Sequence, residues 1–349
     1  MNYTTKNGVC QECVCSSDTP DKELSKKFAP KKKQTLVLAD SYERLGYVNK
    51  SVRVSDCGTL LDWVKDVDKW KLHNANFCKD RLCPMCAMRR EYKVFAQISQ
   101  VMDKIQDDYV FLFFTPTVRN CSAAELPEVI NRMQKAWYRL IGYKAFESAV
   151  KGYFRALEVT HNTDTSSPSY DTYHPHFHCI LAVDKKYFKG SDYISHEKWL
   201  DMWRKAYRDP TITQVDIRRC KSKQDILEGE KAVKALSSAI AEISKYSVKS
   251  ADYLGEFRNG ELVRPFDDDF IDDTVAALTV ALYKRRLICF GGVIEDVRRQ
   301  LMLDDVEDGD LVHVDGEYRL DLCQQIWRYG WFSGVYKLVQ IIERGCNDG

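Results

Sequence analysis

The chain has 349 residues, 44% of them hydrophobic, and a formal net charge of +1. That is enough apolar material for one large or two modest cores, which excludes a disordered chain, and no apolar run approaches the ~20 residues of a membrane span. The charge is uneven: residues 251–349 carry 20 acidic and 11 basic side chains, so residues 1–250 hold a balance of +10, which suits a polyanionic partner for the first part. Met1 to Lys6 offers no apolar signal core. The expectation is therefore a cytoplasmic protein, without membrane contact, whose 13 cysteines bind metal rather than pair with one another.

Residues 1–35 are polar and Lys-rich and read as a mobile arm. Cys10, Cys13 and Cys15 bunch there without a second cluster at matching spacing. Residues 36–105 hold the stronger cysteine pattern. Cys78, Cys83 and Cys86 sit in a charged, turn-like stretch that makes poor core material, and Cys83-x-x-Cys86 is the knuckle spacing that presents two thiolates to one tetrahedral zinc. Cys57 is the natural fourth ligand, with His73 as substitute. Four protein ligands leave no open position for water, so such an ion is structural. Arg89 and Arg90 follow on a helix whose basic side chains are expected to meet phosphates of a polyanionic partner, as are Arg81 and, further on, Lys245.

Residues 106–258 alternate between strand and helix signals. The run 109–118 is aromatic and β-branched, a buried strand. Ser122, with Glu125 three residues on, opens a helix toward residue 149. A strand is expected over 152–160, a Ser/Thr/Asp-rich loop over 161–172, a strand over 176–183, a helix from Ser195 to Arg208, a strand over 211–219 and a helix over 228–249. This is a β-α-β-β-α-β order, the split βαβ of an α+β, ferredoxin-like antiparallel sheet. Residues 259–349 read as a C-terminal helical region. Its helix at 267–283 has an acidic start that suits a helix N-terminus. Trp327, Trp331 and Phe332 pack a helical cap, contact a helicase or pair subunits, and the sequence does not rank the three.

The chemistry gathers on two segments. Side chains alternate along a strand, so His176 and His178 share a face and Phe177 takes the other. Two imidazoles so placed form a ready pair of metal ligands. The preceding strand runs beside them and offers Glu158 as a carboxylate third ligand. In the 228–249 helix, Glu242, Tyr246 and Lys249 are spaced to lie on one face. A nearby Lys favours the phenolate, and a carboxylate there is placed to take a proton. Composition does not single out Tyr246 among 19 tyrosines.

Taken together, the His-hydrophobic-His strand, the upstream Glu158-Val159-Thr160 and the Glu-x3-Tyr-x2-Lys helix resemble the HUH endonucleases, and more narrowly the rolling-circle replication initiators of Gram-positive plasmids. The resemblance spans roughly residues 50–310. Two positions depart from the family pattern: His161 stands where a tyrosine is expected, within reach of the metal site, and Pro116 interrupts the first strand. The resemblance implies a DNA nickase in which Tyr246 attacks an origin phosphodiester, keeping the 5′-phosphate and freeing a 3′-hydroxyl primer. It implies Mn²⁺ or Mg²⁺ on His176, His178 and Glu158, and Glu242 as base for water at termination. His174 then orients the site. The partners implied are origin DNA with an unpaired or hairpin nick site, a host helicase and a second copy of the chain. An HUH transposase or relaxase, or a non-enzymatic zinc DNA-binding regulator, stays open as an alternative.

Overall fold

The computed structural model describes residues 19–66, 69–220, 236–245, 248–314 and 325–343. Its strands in chain order are β1 (Leu60–Asp66), β2 (Lys69–Ala75), β3 (Tyr109–Pro116), β4 (Val150–Asn162), β5 (Thr172–Asp184), β6 (Val215–Cys220), β7 (Glu256–Arg258), β8 (Glu261–Val263), β9 (Ile288–Gly292), β10 (Gln325–Phe332) and β11 (Val335–Glu343). They build a five-stranded sheet, β6-β3-β5-β4-β9, a four-stranded sheet, β11-β10-β1-β2, and the β7-β8 hairpin. Every pairing among them is antiparallel. The class is thus mixed helix and antiparallel sheet, with flanking helices. Among the described residues no helix is long and apolar enough to cross a membrane.

The five-stranded sheet forms because β3 and β5 are apolar on both faces, as strands covered on both sides must be. Phe111 to Phe114 and Phe177 to Val183 are buried almost without interruption. One face is covered by the helices Leu126–Ile141 and His196–Tyr207. Ile130, Met133, Trp137 and Leu140 recur on the first of these at helical spacing and are all buried, the stripe an amphipathic helix needs. Phe177 meets Trp137 edge-on at 5.9 Å and Trp203 at 6.3 Å, which turns its neighbours His176 and His178 to the opposite face.

The helix starts follow local chemistry. Ser195 caps the helix His196–Tyr207 by accepting from the Lys198 N–H at 3.2 Å, and Asp267 does the same for Asp268–Ala281 through Phe270 at 2.9 Å. Glu125 accepts from the Ser122 N–H and hydroxyl, yet the helix proper begins at Leu126 and takes Pro127 in its first turn, where a missing N–H costs nothing. Gly292 ends β9 with φ +56°, and a Cβ there would strike the Lys151 carbonyl oxygen. The close approach of β9 to β4 demands glycine.

Four expectations change. Residues 1–18 lie outside the described part, but the rest of the expected arm is helical and anchored: Leu24 and Phe28 are buried, and Phe28 meets Trp63 edge-on at 5.4 Å. Lysines on one face of a helix hide its apolar stripe. The C-terminal region is not purely helical, because β9 extends the five-stranded sheet and Trp327, Trp331 and Phe332 lie in β10, which pairs with β1 and β11. The 228–249 helix is described as Leu236–Ile243, with a turn at Ser244 and Lys245. Helical spacing therefore does not carry Glu242 and Lys249 onto one face.

The fourth change concerns charge. Arg89 donates to the carbonyls of Leu311 and Val312 at 2.8 and 2.6 Å. Arg90 donates to those of Glu307, Asp80 and Lys79. Both are buried, and Arg81 is paired with Glu307 at 3.3 Å. Lys93 binds Asp304 at 2.7 Å. Arg89 and Arg90 are thus structural cations rather than a DNA surface. Part of the basic excess ahead of residue 251 holds down the acidic segment 304–312. Lys245 is exposed.

Candidate metal centres

The β4–β5 register sets Glu158 opposite His176 and Ala156 opposite His178, so all three donors share the face away from Phe177. Glu158 Oε2 lies 3.0 Å from His178 Nε2 and 3.7 Å from His176 Nε2, and the two Nε2 atoms are 3.1 Å apart. Donors ~2.1 Å from one ion sit ~3.0–3.5 Å from each other, so the triangle fits a single cation. Proton bookkeeping agrees. His176 Nδ1 lies 3.1 Å from the His174 carbonyl oxygen, an acceptor, so Nδ1 carries the proton of the neutral ring and Nε2 keeps its lone pair. That lone pair, a second imidazole and a carboxylate point at one spot, which calls for positive charge. Burial works to raise the Glu158 carboxyl; the hydrogen bonds from His176 and His178 outweigh it and hold the group well below the usual carboxylate range.

Supporting residues surround the triangle, and several carry no mark in the motifs. Thr115 Oγ1 is 3.4 Å from His178 Nδ1, and Thr117 hydrogen-bonds His174 Nε2. Their alternation at the end of β3 and just past it, across from the histidines, is the one signal that could have found them. Lys249 Nζ stands 3.7 Å from Glu158 Oε1, brought there by the turn after Ile243 and not by a helix face. Asp252 lies beyond it; burial pushes its carboxyl up to about 6, against the pull of Lys249 and with Glu158 adding to the rise. His161 is excluded from the site. It has the opposite strand parity from Glu158 and stacks between Tyr173, at 4.3 Å, and Phe270, at 5.2 Å. Its Nε2 is 2.9 Å from Asp171. Glu242 lies in the last turn of the Leu236–Ile243 helix, and Tyr246 lies outside the described residues.

Cys57, Cys78, Cys83 and Cys86 form the second cluster. Cys57 is 3.6 Å from both Cys83 and Cys86, and Cys78 is 3.7 Å from Cys86. Four thiolates ~2.3 Å from a tetrahedral ion stand ~3.8 Å apart. Backbone N–H groups of Cys78, Lys79 and Asp80 donate to the sulfurs of Cys57, Cys86 and Cys78, as they do around bound thiolates. The thiols are pushed apart in acidity: hydrogen bonds with Cys78 and Cys83, then burial, hold Cys57 well above the usual thiol range. Burial works to raise Cys83 as well, but hydrogen bonds from Cys57, Cys78 and Cys86 outweigh it and hold Cys83 well below that range. His73 is not part of the cluster. Lys32 is fully buried beside it and donates to the Ser55 and Cys57 carbonyls at 2.6 and 2.8 Å, a cation that offsets thiolate charge.

Fold and sites together define an antiparallel-sheet protein with two prepared metal-ligand sets, one of oxygen and nitrogen and one of sulfur. A family model described as Replication protein matches residues 69–333. The chain is similar to a Protein rep of Bacillus amyloliquefaciens, 37% identical over 303 residues, covering 82% of this chain and 85% of that one. A Protein rep from a Bacillus species is 34% identical over 321 residues, 87% and 99% of the two chains. One from Streptococcus pneumoniae is 33% identical over 290 residues, 81% and 82%. No solved structure matches. The chain belongs to this family of replication proteins, in agreement with its resemblance to the rolling-circle plasmid initiators.

Proposed function

We propose that the protein starts rolling-circle plasmid replication by nicking one strand of the origin through Tyr246. The observation that carries this reading is the convergence of Glu158, His176 and His178 on one sheet face of a replication protein. The order β6-β3-β5-β4, with helices in both crossovers, supports the ferredoxin-like arrangement of HUH nucleases. Mn²⁺ or Mg²⁺ on the triad would supply Lewis-acid polarisation of a phosphate oxygen. The phenol oxygen of Tyr246 forms a bond to phosphorus while the P–O3′ bond breaks. The released electron pair and a proton leave a 3′-hydroxyl primer. The phosphodiester energy stays in the tyrosyl ester, so rejoining needs no ATP. Lys249 lies beside Glu158 and favours the phenolate over the phenol. Supercoiled plasmid carrying its origin, incubated with and without chelator, tests the reading: a regulator that only binds leaves it intact in any metal, and strand transfer between unlinked sites would mark a transposase.

The four-cysteine set would hold zinc, since thiolate donors at tetrahedral spacing select it. Cys83→Ser should release about one equivalent of metal and lower the unfolding temperature, because structural zinc contributes folding free energy directly. Purified wild-type protein without zinc near one equivalent would refute that assignment.

At termination the regenerated origin must be cut with the tyrosine already esterified, and water then needs a base, the role proposed for Glu242. Losing a positioned base costs ~10²–10⁴-fold. Glu242→Gln should still nick supercoiled origin DNA but release few single-stranded circles and accumulate over-long products. Normal termination would transfer the role elsewhere, with Asp252, beside Lys249 and Glu158, as the first carboxylate to test. A nicking defect as deep as that of a nucleophile variant would instead make Glu242 part of the initial cut.

A further inference from the structure

Next to the Glu158–His176–His178 triad, the far side of His174 lines an open pocket of about 500 Å³. The ring of His174 stacks on that of His176 with centroids 5.1 Å apart, so one histidine separates the pocket from a metal ligand. The pocket is within the range that encloses a small organic group. Its floor is apolar: Val118 and Ile212 line it and are 6% and 3% exposed. Its rim is polar, with Arg119, Asn120 and Gln214 all exposed. The Asn120 side-chain N–H donates to Thr172 Oγ1 at 2.8 Å, which fixes the amide and leaves its carbonyl oxygen as an acceptor.

We propose that this pocket takes one unpaired nucleobase of the DNA strand, a neighbour of the cleaved phosphate, and reads its edge through Asn120 and Gln214. An unpaired base presents a flat apolar face and a hydrogen-bonding edge, the two surfaces that floor and rim complement. Side-chain amides pair with base edges in two-point contacts, and arginine does the same for guanine. A phosphate subsite would need converging cations, and Arg119 is the one Lys or Arg among the described lining residues. The sugar–phosphate joining such a base to the next nucleotide is short enough to bring the following phosphate past His174 to the triad. The proposal rests on the nicking reading for its choice of DNA and of position.

The test is a selection of short single-stranded DNA with randomised positions, bound in chelator so that nothing is cut, using the wild type, Asn120→Ala and Gln214→Ala. Wild-type protein should enrich one base at a defined position. Each variant should lose that preference by roughly tenfold while preferences elsewhere and the unfolding temperature are kept. An unchanged preference profile in both variants overturns the proposal, as does a uniform loss of binding at every position. The same library is then incubated with Mn²⁺. Cleavage with unaltered profiles in the variants removes the pocket and keeps the nicking reading. Altered profiles without wild-type cleavage keep the pocket as a base site and remove the nicking reading.

Discussion

Tyr246→Phe is expected to abolish both nicking of supercoiled origin DNA and the covalent protein–DNA adduct, a loss of roughly 10⁴-fold or more, with origin binding nearly unchanged. The substitution removes one oxygen and keeps the ring, so it deletes only the atom proposed to form the bond. A free phenol, with a pKa near 10, is a poor nucleophile and needs a cation to favour its ionised form. Lys249, with its Nζ 3.7 Å from Glu158 Oε1, is the cation proposed for that role. Two buried tyrosines elsewhere in the fold make the contrast. Burial pushes Tyr173 up to about 12 and also raises Tyr253, so both keep their protons. Labelled origin DNA run on a denaturing gel reads the adduct directly. An adduct that persists in Tyr246→Phe would assign the nucleophile to another residue.

His176→Ala and His178→Ala should each remove divalent-dependent cleavage, whereas His174→Ala should leave a measurable fraction. The first two substitutions delete one of three donors, and a site left with two loses both affinity and orientation. His174 acts differently. Its backbone carbonyl orients His176 at 3.1 Å, and alanine keeps that carbonyl. The side-chain bond to Thr117 and the ring stack on His176 are lost, supports whose removal typically costs ~10–100-fold. Metal titration followed by nicking of supercoiled plasmid separates the cases. Equal losses at all three histidines, with Glu158→Ala mild, would mean a triple-histidine site and would refute the triad.

Features that depend on near neighbours along the chain are legible in the amino-acid sequence alone. Strand alternation puts His176 and His178 on one face, the Cys83-x-x-Cys86 knuckle announces a thiolate pair, and Ser195 and Asp267 mark helix starts. Backbone geometry by itself sets such spacings, and a few residues suffice to read them. Glu158 needs one further step, a hairpin between consecutive strands, and the observed register supplies it. Elsewhere distant partners decide, and local patterns mislead. Arg89 and Arg90 look like phosphate ligands until carbonyls more than 200 residues away claim them. Residues 24–28 look like a mobile arm until Trp63 covers Phe28. His161, one residue out of phase with Thr160 and Asn162, turns into an aromatic stack and away from the metal face. Trp327 and its neighbours pair on one side with β1, a strand more than 250 residues earlier in the chain. A charge or an aromatic ring carries no label for its partner. Which one it meets is settled by the total burial and hydrogen bonding of the folded chain, a sum over contacts that no local window contains.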